Sequence, residues 1–238
     1  MEIHPTAQVA QGAQLDGVAV GPFAIVHAGV RIGPGSKIGA YCEIGHPTAG
    51  EASGLVIGAN ANIRSHSVIY QGAEIGEGLA TGHRVVIRER SLIGRNAQIG
   101  SNADIQGDCR LGDFFRSQSN IFIAKGSRVG DFVWMLPYAV LTNDPSPPSE
   151  LTVGCEIGDY AVLSAGAMVL PGVKVGAHAV IAAQSLVSRD VPAGMLVMGT
   201  PARVVGPADE RRLPDGSGRA AYPWPGHFRR GYPPGTFD

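Results

Sequence analysis

From Ile57 onward an aliphatic residue returns at every sixth position: Ile57, Ile63, Ile69, Ile75, Ile87, Ile93, Ile99, Ile105, Leu111, Ile123, Val129, Met135 and Leu141, with Thr81 and Ser117 the two departures. An amphipathic helix repeats its apolar residues every three or four positions and a half-buried strand every two. A period of six fits neither, and self-similarity at a fixed period marks a chain that stacks one small unit on the next. Four residues after each aliphatic position comes a mostly small one: Ala61, Ser67, Ala73, Val85, Ser91, Ala97, Ala103, Cys109, Ser127, Val133 and Ala139, with Leu79 and Phe115 the bulky exceptions. Glycine follows the aliphatic residue at Gly58, Gly76, Gly94, Gly112 and Gly130, three hexads apart each time. A periodic glycine marks a periodic turn, because glycine takes backbone angles that other residues avoid. The pattern predicts an all-β triangular coil in which each hexad is one short strand and a corner. Three hexads close a turn, and the aliphatic residue points inward to stack on its copies above and below.

The repeat extends upstream through Ile3, Val9, Leu15, Val20, Val26, Ile32, Ile38 and Ile44, and downstream through Ile157, Leu163, Val169, Val175, Ile181 and Val187. Two surpluses interrupt it, residues 46–56 and the Pro- and Ser-rich residues 145–156; both read as loops ejected from corners. Loops on rigid scaffolds are where binding residues concentrate. The coil is expected over residues 1–206 and an irregular C-terminal tail over 207–238, with ADERRL a possible short helix. A net charge of −1 gives no electrostatic case for nucleic acid or a lipid surface. No apolar run is long enough to span a bilayer. The opening MEIHPTAQ is already repeat, so no signal peptide is expected and a cytoplasmic location is. Three cysteines without metal spacing read as buried thiols at Cys42 and Cys109, with Cys155 less defined beside the loop.

Three stretches resemble the hexapeptide-repeat acyltransferases: the repeat itself; residues 157–205, whose ending at Gly199, Pro201, Ala202 and Arg203 is similar to the closing coils of acetyl-CoA-dependent sugar acetyltransferases; and DFVWMLPYAVLTND (131–144), similar to the segment before the loop of N-acetyltransferases acting on nucleotide-linked amino sugars. The resemblance implies a left-handed winding, a homotrimer, and acetyl-CoA lying in the groove between adjacent coils. Its implied reaction is N-acetylation of a nucleotide-linked amino sugar. O-acetylation, or acylation of another small acceptor, is the alternative within the class.

Acyl transfer from a thioester requires a base for the attacking amine or hydroxyl, hydrogen-bond donors for the oxyanion, and approximation of the two substrates. A histidine titrating near neutrality suits the first task. His83, in TGHRVVIRE, occupies the hexad slot of the catalytic histidine in UDP-sugar acyltransferases of lipid A synthesis, which makes it the expected general base; a substrate-binding or plain surface histidine accounts for the same position. Residues eighteen apart stack, so Ser65, His83, Ser101 and Ser119 form one outward column and His66, Arg84, Asn102, Asn120 and Tyr138 the next. Asn143 and Asp144, before the loop, are acceptor-site candidates, though an Asn-Asp-Pro turn explains them equally. Arg64 and Arg88 are candidates for a diphosphate, since guanidinium forks match phosphate oxygens, with a plain surface charge the alternative, and Glu89 is a candidate to orient an amine or to pair with an arginine. The resemblance places Ala165, Gly166 and Ala183 beside the pantetheine arm and Lys174 and Arg203 at its phosphates. His4, His27, His46, His178 and His227 read as structural or solvated. A zinc-dependent carbonic anhydrase on this fold needs three converging histidines, two of them close in sequence. No such pair is present here, so no metal is expected. A non-catalytic binding role is the remaining competitor.

Overall fold

The computed structural model describes residues 2–49 and 54–222. These residues form short strands and turns, with no helix among them, wound into a left-handed parallel β-helix with three flat faces. Successive strands fall in rotation on three sheets. Sheet 1 runs from Glu2–Ile3 through Ala80–Thr81 to a C-terminal hairpin, Met195–Gly199 with Ala202–Pro207. Sheet 2 runs from Gln8–Val9 through Val86–Ile87 to Leu186–Val187, and sheet 3 from Val30–Ile32 through Leu92–Ile93 to Lys174–Val175. Pairing is in register between equivalent hexads, as in Ile69 with Ile87, Ile87 with Ile105 and Ile105 with Ile123. The six-residue period is therefore a column of stacked aliphatic side chains along the axis. Each contributes roughly 1.5–3 kcal/mol of burial.

The small slot lies at the start of each strand and is equally buried. Where it holds serine, the hydroxyl is satisfied locally: Ser36 Oγ donates to Gly33 O at 2.8 Å, Ser67 to Arg64 O at 2.8 Å and Ser127 to Ala124 O at 2.7 Å. A hydroxyl can thus replace a methyl inside the coil without leaving an unpaired polar atom. Cys42, Cys109 and Cys155 are all buried and free, and desolvation pushes the thiols of Cys109 and Cys155 up to about 11. The third thiol, ambiguous in the sequence, is thus as inert as the other two.

Most corners turn through a residue in the left-handed region. Many of these are not glycine, among them His66 (φ 63°), Arg84 (56°), Asn102 (56°), Asn120 (61°) and Tyr138 (62°). That conformation costs a residue with a Cβ on the order of 1–2 kcal/mol. At the corner between sheets 3 and 1 the cost is offset by ring stacking. Phe114, Phe132, Tyr160 and His178 stack successively at 4.6, 4.8 and 4.9 Å, so His178, exposed as expected, is also the last rung of a ladder.

The second surplus is a loop, as expected, and both surpluses change the stacking interval. Ile38 pairs with Ile63 across the first, and Met135 with Leu163 across the second. His46, assigned to the first loop by the sequence, instead ends the strand Glu43–His46. The tail is not helical at ADERRL. Pro207 and Pro214 bracket too short a run, and an antiparallel bridge joins Arg212 to Ala220. Its described part lies on the outer face of sheet 1, where Ala208 is buried with Val162, Val180 and Leu196, and Tyr222 packs against them. His227 lies outside the described residues.

Candidate active site

Thr81 breaks the aliphatic column yet points inward and is buried. Its hydroxyl accepts the Arg64 N–H at 2.9 Å, an interaction that in neighbouring coils is made by a main-chain carbonyl. Ser117 does the same for the Gly100 N–H at 3.1 Å. Both departures therefore sit at the corner between sheets 1 and 2, and both leave the strand pairing one residue shorter than elsewhere. Gly82 follows, and a Cβ there would lie 2.3 Å from Ser101 N. Only glycine lets the two coils approach this closely.

His83 comes next. Its Nδ1 is 2.9 Å from Ser65 Oγ on one side, and its N–H donates to Ser101 Oγ at 3.0 Å on the other. The column inferred from the eighteen-residue interval is thus observed. Main-chain bonds extend it: Asn102 N to His83 O, Asn120 N to Ser101 O, Tyr138 N to Ser119 O, Gly166 N to Pro137 O and Gln184 N to Ala165 O. One continuous edge therefore carries Arg64, His66, His83, Ala165, Gly166 and Ala183. From His83 to Ala165 is four coils, about 19 Å at strand spacing. Ser65 fixes the imidazole from one side, and with the proton on Nδ1 the Nε2 lone pair faces outward from an exposed side chain. Arg64 is exposed, and His66 stacks on Tyr41 at 5.1 Å, which stacks on Phe23 at 5.0 Å.

The other predicted residues lie elsewhere. Arg88 and Glu89 follow Val86–Ile87 at the opposite edge of sheet 2. Arg88 donates to both Glu89 oxygens, Nε at 3.0 Å and Nη2 at 3.2 Å, to Gln106 Oε1 at 3.3 Å, and lies 5.4 Å over the Tyr70 ring. Its fork is engaged by a carboxylate, which weakens the diphosphate role. Gln106 in turn donates to Asp104 at 2.8 Å, and burial pushes the Asp104 carboxyl up, opposed by the bond from Gln106 and the Arg88 charge. Asn143 and Asp144 lie on the same edge, three coils on from Arg88. There they line a cleft of about 430 Å³ with Phe122, Thr142, Pro145, Pro147, Leu170 and Pro171. Asp144 also closes the loop, accepting the hydroxyl and N–H of Ser149 and the N–H of Ser146, and these bonds hold its carboxyl below the usual range. Lys174 projects from sheet 3, the face opposite the His83 edge, and pairs with Glu156 at 3.3 Å; Arg203 is in the terminal hairpin. Lys174 shares no edge with Ala165 and Ala183 in one chain, whereas the tip of the hairpin that carries Arg203 bonds to Gln184 and Ser185 at the end of the His83 edge. Among the described residues no group of three or more His, Cys, Asp or Glu converges on a metal position.

A cluster that sequence reading passed over occupies the N-terminal part of that second edge. Glu43 Oε1 accepts from His27 Nε2 at 2.9 Å and from His46 Nδ1 at 2.8 Å, and His46 packs on Tyr70 at 4.6 Å. Burial raises the Glu43 carboxyl, but the two histidine bonds outweigh it and hold the group below its ordinary value. Sheet 2 is thus flanked by two polar edges, His83 on one and Glu43 with its histidines, Arg88 and Asp144 on the other.

The bacterial transferase hexapeptide (six repeats) family model matches residues 16–46 and 154–189. The 2,3,4,5-tetrahydropyridine-2,6-dicarboxylate N-acetyltransferase of Clostridium perfringens is 44% identical over 73 residues, which is 31% of this chain and 30% of that protein. The enzyme of the same name from Staphylococcus aureus is 46% identical over 72 residues, 30% of this chain and 29% of that protein. The matches thus span under a third of these relatives. Among solved structures, UDP-N-acetylglucosamine acyltransferase from Campylobacter jejuni is similar at 23% identity with a TM-score of 0.49, covering 85% of this chain and 73% of that one.

Proposed function

We propose that this chain, a hexapeptide-repeat protein, is an acetyl-CoA-dependent acyltransferase whose acceptor is a small amine, first among them a nucleotide-linked amino sugar. The observation that carries the reading is the His83 edge. An outward imidazole, braced by Ser65, shares one unbroken column with the small residues Ala165, Gly166 and Ala183. Small side chains leave main-chain N–H and C=O groups open to an extended ligand, which fits the pantetheine arm, so Ala165, Gly166 and Ala183 would line it. Acetyl-CoA brings the activated acyl group. His83 Nε2 takes the proton from the attacking amine, and Ser65, 2.9 Å from Nδ1, holds the ring in place. Arg64, on the same corner, is placed to meet a phosphate of the acceptor. A second acceptor to test is 2,3,4,5-tetrahydropyridine-2,6-dicarboxylate, because the matched relatives are named for it. A cytoplasmic location is part of the same reading.

His83→Ala is expected to lower turnover by roughly 10²–10⁴-fold, the usual weight of a general base. Calorimetric titration is expected to find acetyl-CoA binding nearly unchanged. Near-normal turnover of the variant would remove the base assignment. The functional unit is a homotrimer in this reading, since one coil presents edges and a groove needs a second wall. An active, stable monomer in sedimentation would overturn it.

A further inference from the structure

We infer that the outer face of sheet 2 is a surface for further copies of this chain, with Tyr138 of one copy seated in the proline-walled cleft at the edge between sheets 2 and 3 of the next. The three outer faces differ in what they offer. On sheet 2 four successive outward residues are apolar: Phe122, Val140, Met168 and Leu186. Phe122 and Met168 are both large and exposed. On sheet 3 the same coils show Arg128, Glu156 and Lys174, a charged row suited to water. On sheet 1 they show Trp134, Val162 and Val180, and there the chain's own Ala208 and Tyr222 pack over the apolar residues.

Tyr138 supplies the counterpart. It is 63% exposed and turns the corner between sheets 1 and 2 at φ 62°. A bulky side chain holds that conformation at a cost. Phe132 and Tyr160 offset theirs by stacking, but Tyr138 stands between Asn120 and Gly166 in its column, and neither carries a ring. At the opposite corner of the same coil lies the cleft of about 430 Å³, walled by Phe122, Pro145, Pro147, Leu170 and Pro171. Ring and cleft flank one strand, Val140–Leu141, at one height. Copies rotated about an axis parallel to the coil bring equal heights together, so each Tyr138 meets the next cleft and the ring of copies closes. The four apolar coils span only about 14 Å at strand spacing. That strip is too small for the roughly 800 Å² that each partner of a stable interface buries, so the flanking corners must join it.

The inference rests on the acyltransferase reading only for the number of copies, three. It also supplies the second wall that reading needs. At equal heights Arg88 and Glu89 of one copy face His83 of the next, and Asn143 and Asp144 face Tyr138 and Gly166.

The test needs no turnover. A Tyr138→Cys, Pro145→Cys double variant is oxidised and its mass read on a denaturing gel, alongside sedimentation of the undenatured protein. The chain's own three thiols are buried. Within one chain the two positions lie at opposite corners of a face, beyond the roughly 7 Å between Cα atoms that a disulfide bridges, so a link joins two copies. The double variant is expected to give covalent species of up to three chains, and each single variant to remain one chain. A single variant that links to itself would mark a two-fold contact and overturn the proposal. So would an assembly in which the double variant forms no link. Wild type sedimenting as a monomer at micromolar concentration would also overturn it and leave the sheet 2 face to a different protein. In a second measurement, Phe122→Glu with Met168→Glu is expected to give monomers with an unchanged far-ultraviolet spectrum; full assembly of that variant would remove this face from the interface. A cross-linked trimer that binds no acetyl-CoA would uphold this inference and remove the acyltransferase reading, and an active oligomer without the link would do the reverse.

Discussion

Single side chains decide how the His83 corner is built. Thr81 looks like a defect in the hexad column, and it is a substitution of one acceptor for another: its hydroxyl replaces the strand carbonyl as partner of the Arg64 N–H. Thr81→Val keeps the shape and removes the acceptor, leaving a main-chain donor without its partner. The expected loss of stability is about 1–3 kcal/mol, the cost of an unsatisfied buried group, and the urea midpoint measures it. Loss of activity beyond that of the destabilised fold would show that the exchange also positions His83, two residues on. The sequence revealed that Thr81 points inward, because the period is strict. It did not reveal the hydrogen bond, because the carbonyl and the hydroxyl of Thr81 compete for the same N–H and the repeat does not encode which one accepts it.

At the scale of elements, the inward columns and the Ser65–His83–Ser101 column were legible because strands of equal length must stack at a fixed interval. The Glu43 cluster was not. His27 and Glu43 face each other across the regular register that pairs Ile25 with Glu43 and Val26 with Ile44, and His46 reaches the same carboxylate from the end of the Glu43 strand, a side-chain convergence that hexad slots do not specify. Lys174 marks a different limit: its hexad slot was legible, but a slot does not say which of three faces a cofactor lies on. The Glu43 bonds also tie one coil to the next with a pH dependence of definite sign. The folded carboxyl titrates below its unfolded value, so its contribution is present above about pH 4.5 and fades as the pH falls through the folded value. Glu43 is about a third exposed, so solvent screening keeps the effect small. Wild type is expected to exceed Glu43→Gln in urea midpoint at neutral pH, and the gap to close in acid; a constant gap would mean the carboxyl charge is not what stabilises.

The whole molecule has no centre. Its core is a line, not a sphere, and each coil bonds to the one before and the one after through three short parallel pairings. Stability in such an array is approximately a sum of coil terms and nearest-neighbour interfaces. A lesion such as Thr81→Val is therefore felt by one or two coils and leaves the rest intact, whereas in a globular domain it would lower the single barrier all residues share. Heating is expected to open the array in segments. Scanning calorimetry then gives a measured heat larger than the van't Hoff enthalpy drawn from the sharpness of the same transition, and equality of the two would mark an all-or-none unit. Such a chain can loosen a few coils beside either polar edge while the remainder holds the register that brings them back.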